Sequence, residues 1–448
     1  MNLKEKKILV IGLGKTGIAT ARFLIGRGAR VLVTDEKPRS ELKNALDELE
    51  STHTQFVFGD YSPEITSRAD LIIPSPGVPP ANILLREAAT KNIPIISEIE
   101  LAYRFLRVPM IAITGTNGKT TTTTLTGKIL AGAGKKVFVG GNIGNPLIAY
   151  VDGTQDDDYA VVEVSSFQLQ WIRSFRPLVS VLLNTTCDHV DYHGSFEAYR
   201  QAKERIFENK KDGDLAILNA DDPRSSVLAK RLAPGVEYFS SSHQVARGMC
   251  LDRDALVYHT FNGTREVYPL SMIKIPGHHN IENVMASIMA ARHCGCPPAD
   301  IIRTVEEFSG IPHRIEFAAE KSGVAFYDDS KGTNVGAVAR ALETFSHQII
   351  LLMGGRDKEG DFDSLSPLVR TKVKKLVLFG EARNRIQTMI GGLVSTSNVA
   401  TLKEAIETAY RISSPGDVVL LSPGCASFDE FSDYKERGRF FKDVVKNL

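Results

Sequence analysis

The stretch Ile111–Leu130 reads IAITGTNGKTTTTTLTGKIL. An apolar strand runs into a glycine-lysine-threonine turn, and a helical pattern follows. This order builds a phosphate cradle: backbone N–H groups and a helix N-terminus face an anion, and a lysine reaches for the terminal phosphates. Gly115 and Gly118 permit the tight turn. Lys119 supplies a point charge, and the hydroxyl of Thr120 or Thr121 suits Mg²⁺. The general nucleotide-binding pattern places a glycine where Ile113 stands, so the loop is a shorter variant, G-T-N-G-K-T, with Thr114 just ahead of it.

Around that loop lie 448 residues, too many for one ordinary core, so two to four domains are expected. A hydrophobic share of 43% with 24% charged residues fits a soluble globular protein. The net charge of +1 offers no bulk attraction to nucleic acid or to an anionic membrane. MNLKEKKILV lacks the apolar stretch of a signal peptide, and no apolar run is long enough for membrane insertion. Only Cys294 and Cys296 are close among the five cysteines, and C-x-C without a second pair is a poor zinc signal. A reduced cytoplasmic enzyme acting as a monomer is the expectation.

The first segment, 1–106, opens with KKILVIGLGKTG. Ile8–Ile11 read as a buried strand, Gly12, Gly14 and Gly17 form G-x-G-x-x-G, and a helix follows through Ala19–Ile25. A second strand, Arg30–Thr34, ends at Asp35, completing a βαβ unit. ADLIIPSPGVPP adds a strand and a Pro/Gly turn over Ser75–Pro80 that presents backbone to a ligand crevice. The second segment, 107–311, carries the phosphate loop. Its strands are expected at Lys136–Val139, Tyr159–Val164, Leu178–Leu183 and Leu215–Leu218, with a helix over Phe196–Asn209. From Tyr238 to Ile275 short strands suggest a small β-rich insertion. The third segment, 312–448, alternates VAFYDDS, IILLMGG, KLVLFG and VVLLSPG with helices. The fold class is therefore α/β in three domains: Rossmann-like at both ends, with a mostly parallel ATPase-type sheet between. Polar clusters at strand ends suggest a site assembled between domains.

Several clusters carry chemistry. Glu163 ends the apolar run YAVVEV, a position that suits a Mg²⁺ ligand beside phosphates and equally a surface glutamate. NTTCDHVDYHG packs Asp188, His189, Asp191 and His193 into one loop. The helical i, i+4 pair of the zinc hydrolases is missing, so a hard cation with one imidazole, or a substrate contact, fits better. Lys203 lies on EAYRQAKERIF near Arg200 and Arg205, and periodicity alone reads it as solvated surface. Asn280 and Asn283 lie in PGHHNIENVMAS at the start of a helix; Asn280 suits a helix N-cap, and side-chain amides also suit an adenine edge. Arg314 in HRIEF is a natural phosphate clamp. Asp329, Lys331, Thr333 and Asn334 in DDSKGTN, Arg356 and Lys358 in GGRDKEGDF, and Ser427 and Tyr434 in SPGCASFDEFSDY suit a small anionic substrate; singly, each suits a cap or a salt bridge.

Together these clusters resemble the Mur ligase family, the ATP-dependent amide ligases of peptidoglycan precursor synthesis. The resemblance covers the chain in order: GLGKTG, SPGVP, TGTNGKTT, GGNIG, EVSSFQL, DHVDYH, YRQAKERI, NADDP, GHHNIEN, PHRIEF, DDSKGTN, GGRDK and SPGCASFDEF. The GLGKTG opening and the SPGCASFDEF ending fit the D-glutamate-adding member, and no D-N-P-R-like motif for a diamino acid is present. The resemblance implies an enzyme joining D-glutamate to UDP-N-acetylmuramoyl-L-alanine, with ATP as co-substrate and two Mg²⁺ ions. It implies that Gly14, Lys15, Thr16, Gly17, Asp35, Lys37 and Gly77 hold the UDP-sugar. Asn142 and His189 would place its lactyl-alanyl arm. It assigns Gly115, Thr116, Asn117, Gly118, Lys119, Thr120 and Thr121 to the ATP phosphates, and Asn280, Asn283, Arg314 and Asp329 to adenine, phosphate and ribose. Thr120, Glu163, His189 and a carbamylated Lys203 would ligate Mg²⁺, with Lys119, His189 and Lys203 as the catalytic set. Lys331, Thr333, Lys358, Ser427 and Tyr434 fall where D-glutamate binds. The layout also implies closure to exclude water from an acyl phosphate.

Three rival readings stand beside it. An NAD-dependent oxidoreductase follows from GLGKTG and Asp35 but leaves the phosphate loop unexplained. Folylpolyglutamate synthase shares the second and third segments but not this type of first segment. A non-catalytic nucleotide-binding module has no use for Glu163, His189 and Lys203.

Overall fold

The computed structural model describes residues 1–42, 46–47, 49, 54–59, 63–260, 263–346, 349–357 and 360–448, and the side chain of Asp191 also lies outside this description. Lys358, expected at the amino-acid site, falls outside the described residues.

Among these residues the first sheet holds β1 (Lys7–Ile11), β2 (Arg30–Asp35), β3 (Gln55–Phe58) and β4 (Leu71–Pro74), all parallel in the order β3-β2-β1-β4. The helix Lys15–Gly26 crosses from β1 to β2. Its glycines have a packing reason. A Cβ on Gly17 would stand 1.9 Å from the Gly12 carbonyl oxygen, so only glycine lets the helix lie this close to the strand end.

The second sheet runs through β5 (Met110–Thr114), β6 (Val137–Gly141), β7 (Tyr159–Glu163), β8 (Val179–Leu182), β9 (Leu215–Asn219), β10 (Val236–Ser240), β11 (Gly248–Asp252), β12 (Ala255–His259) and β13 (Arg265–Pro269), in the order β13-β12-β11-β10-β9-β8-β5-β7-β6. Pairing is parallel from β6 to β11 and antiparallel from there to β13. The expected β insertion is thus an extension of the same sheet. β6 runs two residues past the expected Val139, because Gly140 and Gly141 pair with Val162 and Glu163 while contributing no side chain to the apolar pattern. The helix expected over Phe196–Asn209 ends at Glu204 and tightens into a 3₁₀ turn at Arg205–Phe207.

The third sheet contains β14 (Glu316–Lys321), β15 (Val324–Asp328), β16 (Ile349–Gly354), β17 (Val373–Phe379), β18 (Ser395–Asn398) and β19 (Val418–Gly424), in the order β14-β15-β19-β16-β17-β18. Only β14 is antiparallel to its neighbour.

By contacts the chain forms two compact units. One comprises Met1–Ile273 with Ile281–Glu307, the other Lys274–Asn280 with Phe308–Leu448. In the first unit a single apolar cluster joins the two sheets, linking Ile8, Val10 and Phe23 to Met110, Ala112 and Val162. A second cluster, around Leu9, Ile72 and Leu84, is covered by Trp171 from the middle segment, whose carbonyl accepts the Ser97 N–H at 3.0 Å.

Candidate active site

β5 is buried along its whole length and lies between β7 and β8, so its C-terminal end opens in the parallel interior of the sheet. The loop that follows leads into the helix Lys119–Gly132. Gly118 caps that helix at φ +83° and, as a glycine, offers no side-chain cap of its own. A Cβ there would also stand 2.1 Å from Asn283 Oδ1. The loop is held from the end of β8: Asn117 N–H donates to Asn184 Oδ1 at 2.9 Å, and Asn184 Nδ2 donates back to the Asn117 carbonyl at 3.2 Å. Thr116 Oγ1 lies 3.0 Å from Tyr199 Oη and accepts the Thr186 N–H at 3.0 Å. A helix N-terminus with a pinned, glycine-permitted approach is an anion site.

Two lysines meet at this loop. Lys119 Nζ donates to the carbonyls of Gly115 and Thr116, both at 2.8 Å. Lys203 Nζ donates to the same Gly115 carbonyl at 2.8 Å. The surface reading of Lys203 is overturned: the residue is only 1% exposed. The helix Phe196–Glu204 turns Tyr199, Ala202 and Lys203 inward, and the ammonium sits 4.7 Å from the Tyr199 ring centroid. Burial, and next the positive charge of Lys119, hold the Lys203 pKa well below its ordinary value.

Glu163 at the tip of β7 is 2% exposed, so the surface-glutamate alternative also fails. Asn142 Nδ2 donates to its Oε1 at 2.9 Å. Its Oε2 is buried and has no hydrogen-bond partner among the described residues. A buried carboxylate oxygen left without a donor is costly unless a cation completes it. That orphan oxygen, with hydroxyl-bearing Thr120 on the phosphate helix, fits Mg²⁺, a hard ion that prefers oxygen ligands. His189 is exposed, in a left-handed conformation at φ +50°, with its ring 4.9 Å from that of Phe167. His193 Nε2 lies 3.0 Å from Ser166 Oγ.

Asn283 lies on the same face as the loop, with its Oδ1 3.3 Å from Thr122 Oγ1. Asn280 belongs to the other unit. The N-cap alternative does not hold for it, because the helix begins at His278 and the Asn280 amide donates back to the Pro276 carbonyl at 2.6 Å.

In the first sheet Gly14 and Lys15 are exposed, Thr16 is half-buried and Gly17 buried. Lys15 Nζ donates to the Gly144 carbonyl at 2.5 Å. Asp35 accepts the Leu13 N–H at 2.7 Å on one oxygen and the Lys37 N–H at 3.0 Å on the other, so it braces the glycine turn. Gly77 is exposed in the Ser75–Pro80 turn, and Tyr192 Oη donates to the Val78 carbonyl at 2.7 Å.

In the second unit Arg314 is exposed, and Asp329 is buried and accepts from Ser422 Oγ at 2.8 Å. Burial raises the Asp329 pKa to about 7, against the opposing pull of Ser422 and Arg314. Lys331 Nζ lies 5.5 Å from the Tyr434 ring centroid, Thr333 is half-buried, and Ser427 is buried. His313, Glu316 and Asp328 also cluster here. That set is already satisfied: His313 Nδ1 meets Asp328 Oδ2 at 2.7 Å, and Lys442 bonds both Glu316 oxygens at 3.0 Å.

Sequence reasoning missed Asn184, Tyr199 and Arg437. Tyr199 had only a weak local signal: it precedes Lys203 by four residues and shares its helix face.

A phosphate loop at the end of a buried strand in the parallel part of the sheet, a buried carboxylate with one oxygen open, and a buried lysine define a phosphoryl-transfer site. The chain belongs to the Mur ligase family, whose members are ATP-dependent amide ligases. It matches the MurD-like N-terminal domain of Mur ligases over residues 6–97, the Mur ligase middle domain over 113–291 and the Mur ligase glutamate ligase domain over 313–425. Among curated proteins it is 61% identical over 447 residues to the UDP-N-acetylmuramoylalanine–D-glutamate ligase of Syntrophus aciditrophicus, covering 100% of this chain and 99% of the relative. It is 47% identical to the ligase of the same name from Geobacter metallireducens, with the same coverage. Two solved structures share the fold. The UDP-N-acetylmuramate-alanine ligase of Thermotoga maritima has a TM-score of 0.58 at 21% identity, covering 99% of both chains. A pseudomurein peptide ligase of Methanothermus fervidus has a TM-score of 0.59 at 19% identity, again covering 99% of both. No described helix is long and apolar enough to cross a membrane.

Proposed function

We propose that this chain joins D-glutamate to the alanyl carboxylate of UDP-N-acetylmuramoyl-L-alanine, cleaving ATP to ADP and phosphate, as a cytoplasmic monomer in peptidoglycan precursor synthesis. The observation that carries this reading is the full-length match at 61% identity to a relative named for D-glutamate ligation. The three segments 1–106, 107–311 and 312–448 serve as UDP-sugar, ATP and amino-acid domains.

A carboxylate is a poor electrophile, so the γ-phosphoryl group of ATP is first transferred to it, forming an acyl phosphate. The amine of D-glutamate attacks that carbonyl, and phosphate leaves from the tetrahedral intermediate. Lys119 and the N–H groups from Gly115 to Thr121 bind the phosphates and offset the charge that builds during transfer. Gly14, Lys15, Thr16, Gly17, Asp35, Lys37 and Gly77 hold the UDP-sugar, and Asn142 and His189 orient its acyl end. Asn280, Asn283, Arg314 and Asp329 bind adenine, phosphate and ribose. Lys331, Thr333, Lys358, Ser427 and Tyr434 take D-glutamate. Thr120, Glu163, His189 and Lys203 as its carbamate hold two Mg²⁺ ions. Bound there, Mg²⁺ neutralises phosphate charge. The open Glu163 oxygen and the suppressed charge of Lys203 support this ligand set.

The test is ADP release across amino acids with the UDP-sugar present. Release should require both UDP-N-acetylmuramoyl-L-alanine and D-glutamate. Robust turnover with L-glutamate or L-lysine instead would overturn the assignment.

A further inference from the structure

Arg437, on the helix Tyr434–Lys446, is 1% exposed. Its guanidinium reaches loops at three strand ends. Nε donates to Ser330 Oγ at 3.0 Å, and Nη2 donates to the carbonyls of Ser330 at 2.9 Å and Cys425 at 3.1 Å. Nη1 lies beside Gly355, where an added Cβ would stand 3.1 Å from it. Ser330 opens the loop of Lys331 and Thr333, Gly355 precedes Arg356 at the end of β16, and Cys425 lies just ahead of Ser427. The Ser330 hydroxyl in turn donates to the Tyr434 carbonyl at 2.8 Å, closing the circuit on the first residue of the arginine's own helix.

This arrangement is expensive for stability. Nη1 is buried with no hydrogen-bond partner among the described residues, and burial draws the guanidinium pKa down to about 10. An apolar side chain of similar volume would remove the unsatisfied donor but take the Arg437 bond from the buried Ser330 and Cys425 carbonyls. It would not bond the Ser330 and Cys425 loops to each other while packing beside Gly355, and neither would a lysine, which lacks the planar fork.

We propose that Arg437 is the positioning residue of the amino-acid site, setting the three loops in the one arrangement that binds the incoming amino acid. The inference rests on the D-glutamate reading above. It concerns substrate affinity at one site, so it separates from a general role in folding.

The test compares wild type with R437M and R437K by ADP release, varying D-glutamate, ATP and the UDP-sugar in turn, with a thermal melt of each protein. Both variants should raise KM for D-glutamate about tenfold or more, leave the other two KM values within about twofold, and lower kcat less than kcat/KM for D-glutamate. An unchanged KM for D-glutamate in folded R437M overturns the proposal. So does a parallel rise in all three KM values with a lowered Tm. Should R437M fail to fold, R437K decides by the same comparison. Wild type that shows no D-glutamate-dependent ADP release overturns the functional reading, and this inference with it.

Discussion

Lys119 and Lys203 donate to one oxygen, the Gly115 carbonyl, each at 2.8 Å. Two ammonium groups on one buried acceptor repel each other, and Lys203, with almost no access to water, is the one pushed toward the neutral amine. A neutral amine is the form that adds CO₂, with release of one proton, and the carbamate proposed above would place an anion beside Lys119 in place of a second cation.

Lys203→Ala should therefore lose at least about 99% of activity and regain part of it with added formate or acetate, which restore a carboxylate in the space left behind. ADP release with and without the short acid is the measurement. Full activity in the unrescued variant would remove the carbamate from the account.

Lys119→Ala should abolish turnover while leaving UDP-sugar affinity nearly unchanged, because its two loop-carbonyl bonds lie at the phosphate end alone. Calorimetric titration with the sugar nucleotide checks this. Loss of both turnover and binding would point to unfolding.

Gly118→Ala should weaken ATP binding and lower stability by about 1–3 kcal/mol. Its φ of +83° is strained for alanine, and the new methyl would collide with Asn283 Oδ1. Nucleotide titration and a denaturant melt read the two effects.

Glu98 gives a pH prediction. It is buried, accepts the Ile148 N–H at 2.8 Å and lies 3.4 Å from Gln168 Nε2, and burial raises its pKa from 4.5 to about 7. The folded state therefore retains a proton that the unfolded chain has released, so the stability contribution is complete below about pH 4.5 and is lost as pH rises to about 7. Glu98→Gln, which cannot ionise, should gain on wild type by about 3 kcal/mol between pH 4.5 and 8. Denaturant melts across that range test it; a constant difference would refute the assignment.

The phosphate loop was legible because strand, turn and helix signals coincide within one short stretch, and the G-x-G-x-x-G unit because close helix–strand approach admits only glycine. Lys203 was not. Its helix looks uniformly charged, and Arg200 and Arg205 do pair with Glu197, Glu204 and Glu208 while Lys203 faces in. The pattern that separates them, Tyr199 and Lys203 one turn apart, is weak in a sequence read alone. Arg437 was invisible for a different reason. Its partner Ser330 lies 107 positions away, and nothing local to RGRF signals a buried guanidinium. Asn184 is similar: it pairs with Asn117 across 67 positions, a relation that exists only once β5 and β8 are neighbours.

Trp171 is the one tryptophan of the chain. It comes from the middle segment yet packs on the apolar cluster of the first sheet, beside the helix that begins at Glu98. Tryptophan emission of the unmodified protein thus arises from a single seam, between the sheet that carries GLGKTG and the sheet that carries the phosphate loop. Any sugar nucleotide that shifts one against the other will change the colour of that emission, giving an optical readout of first-substrate binding with no label attached.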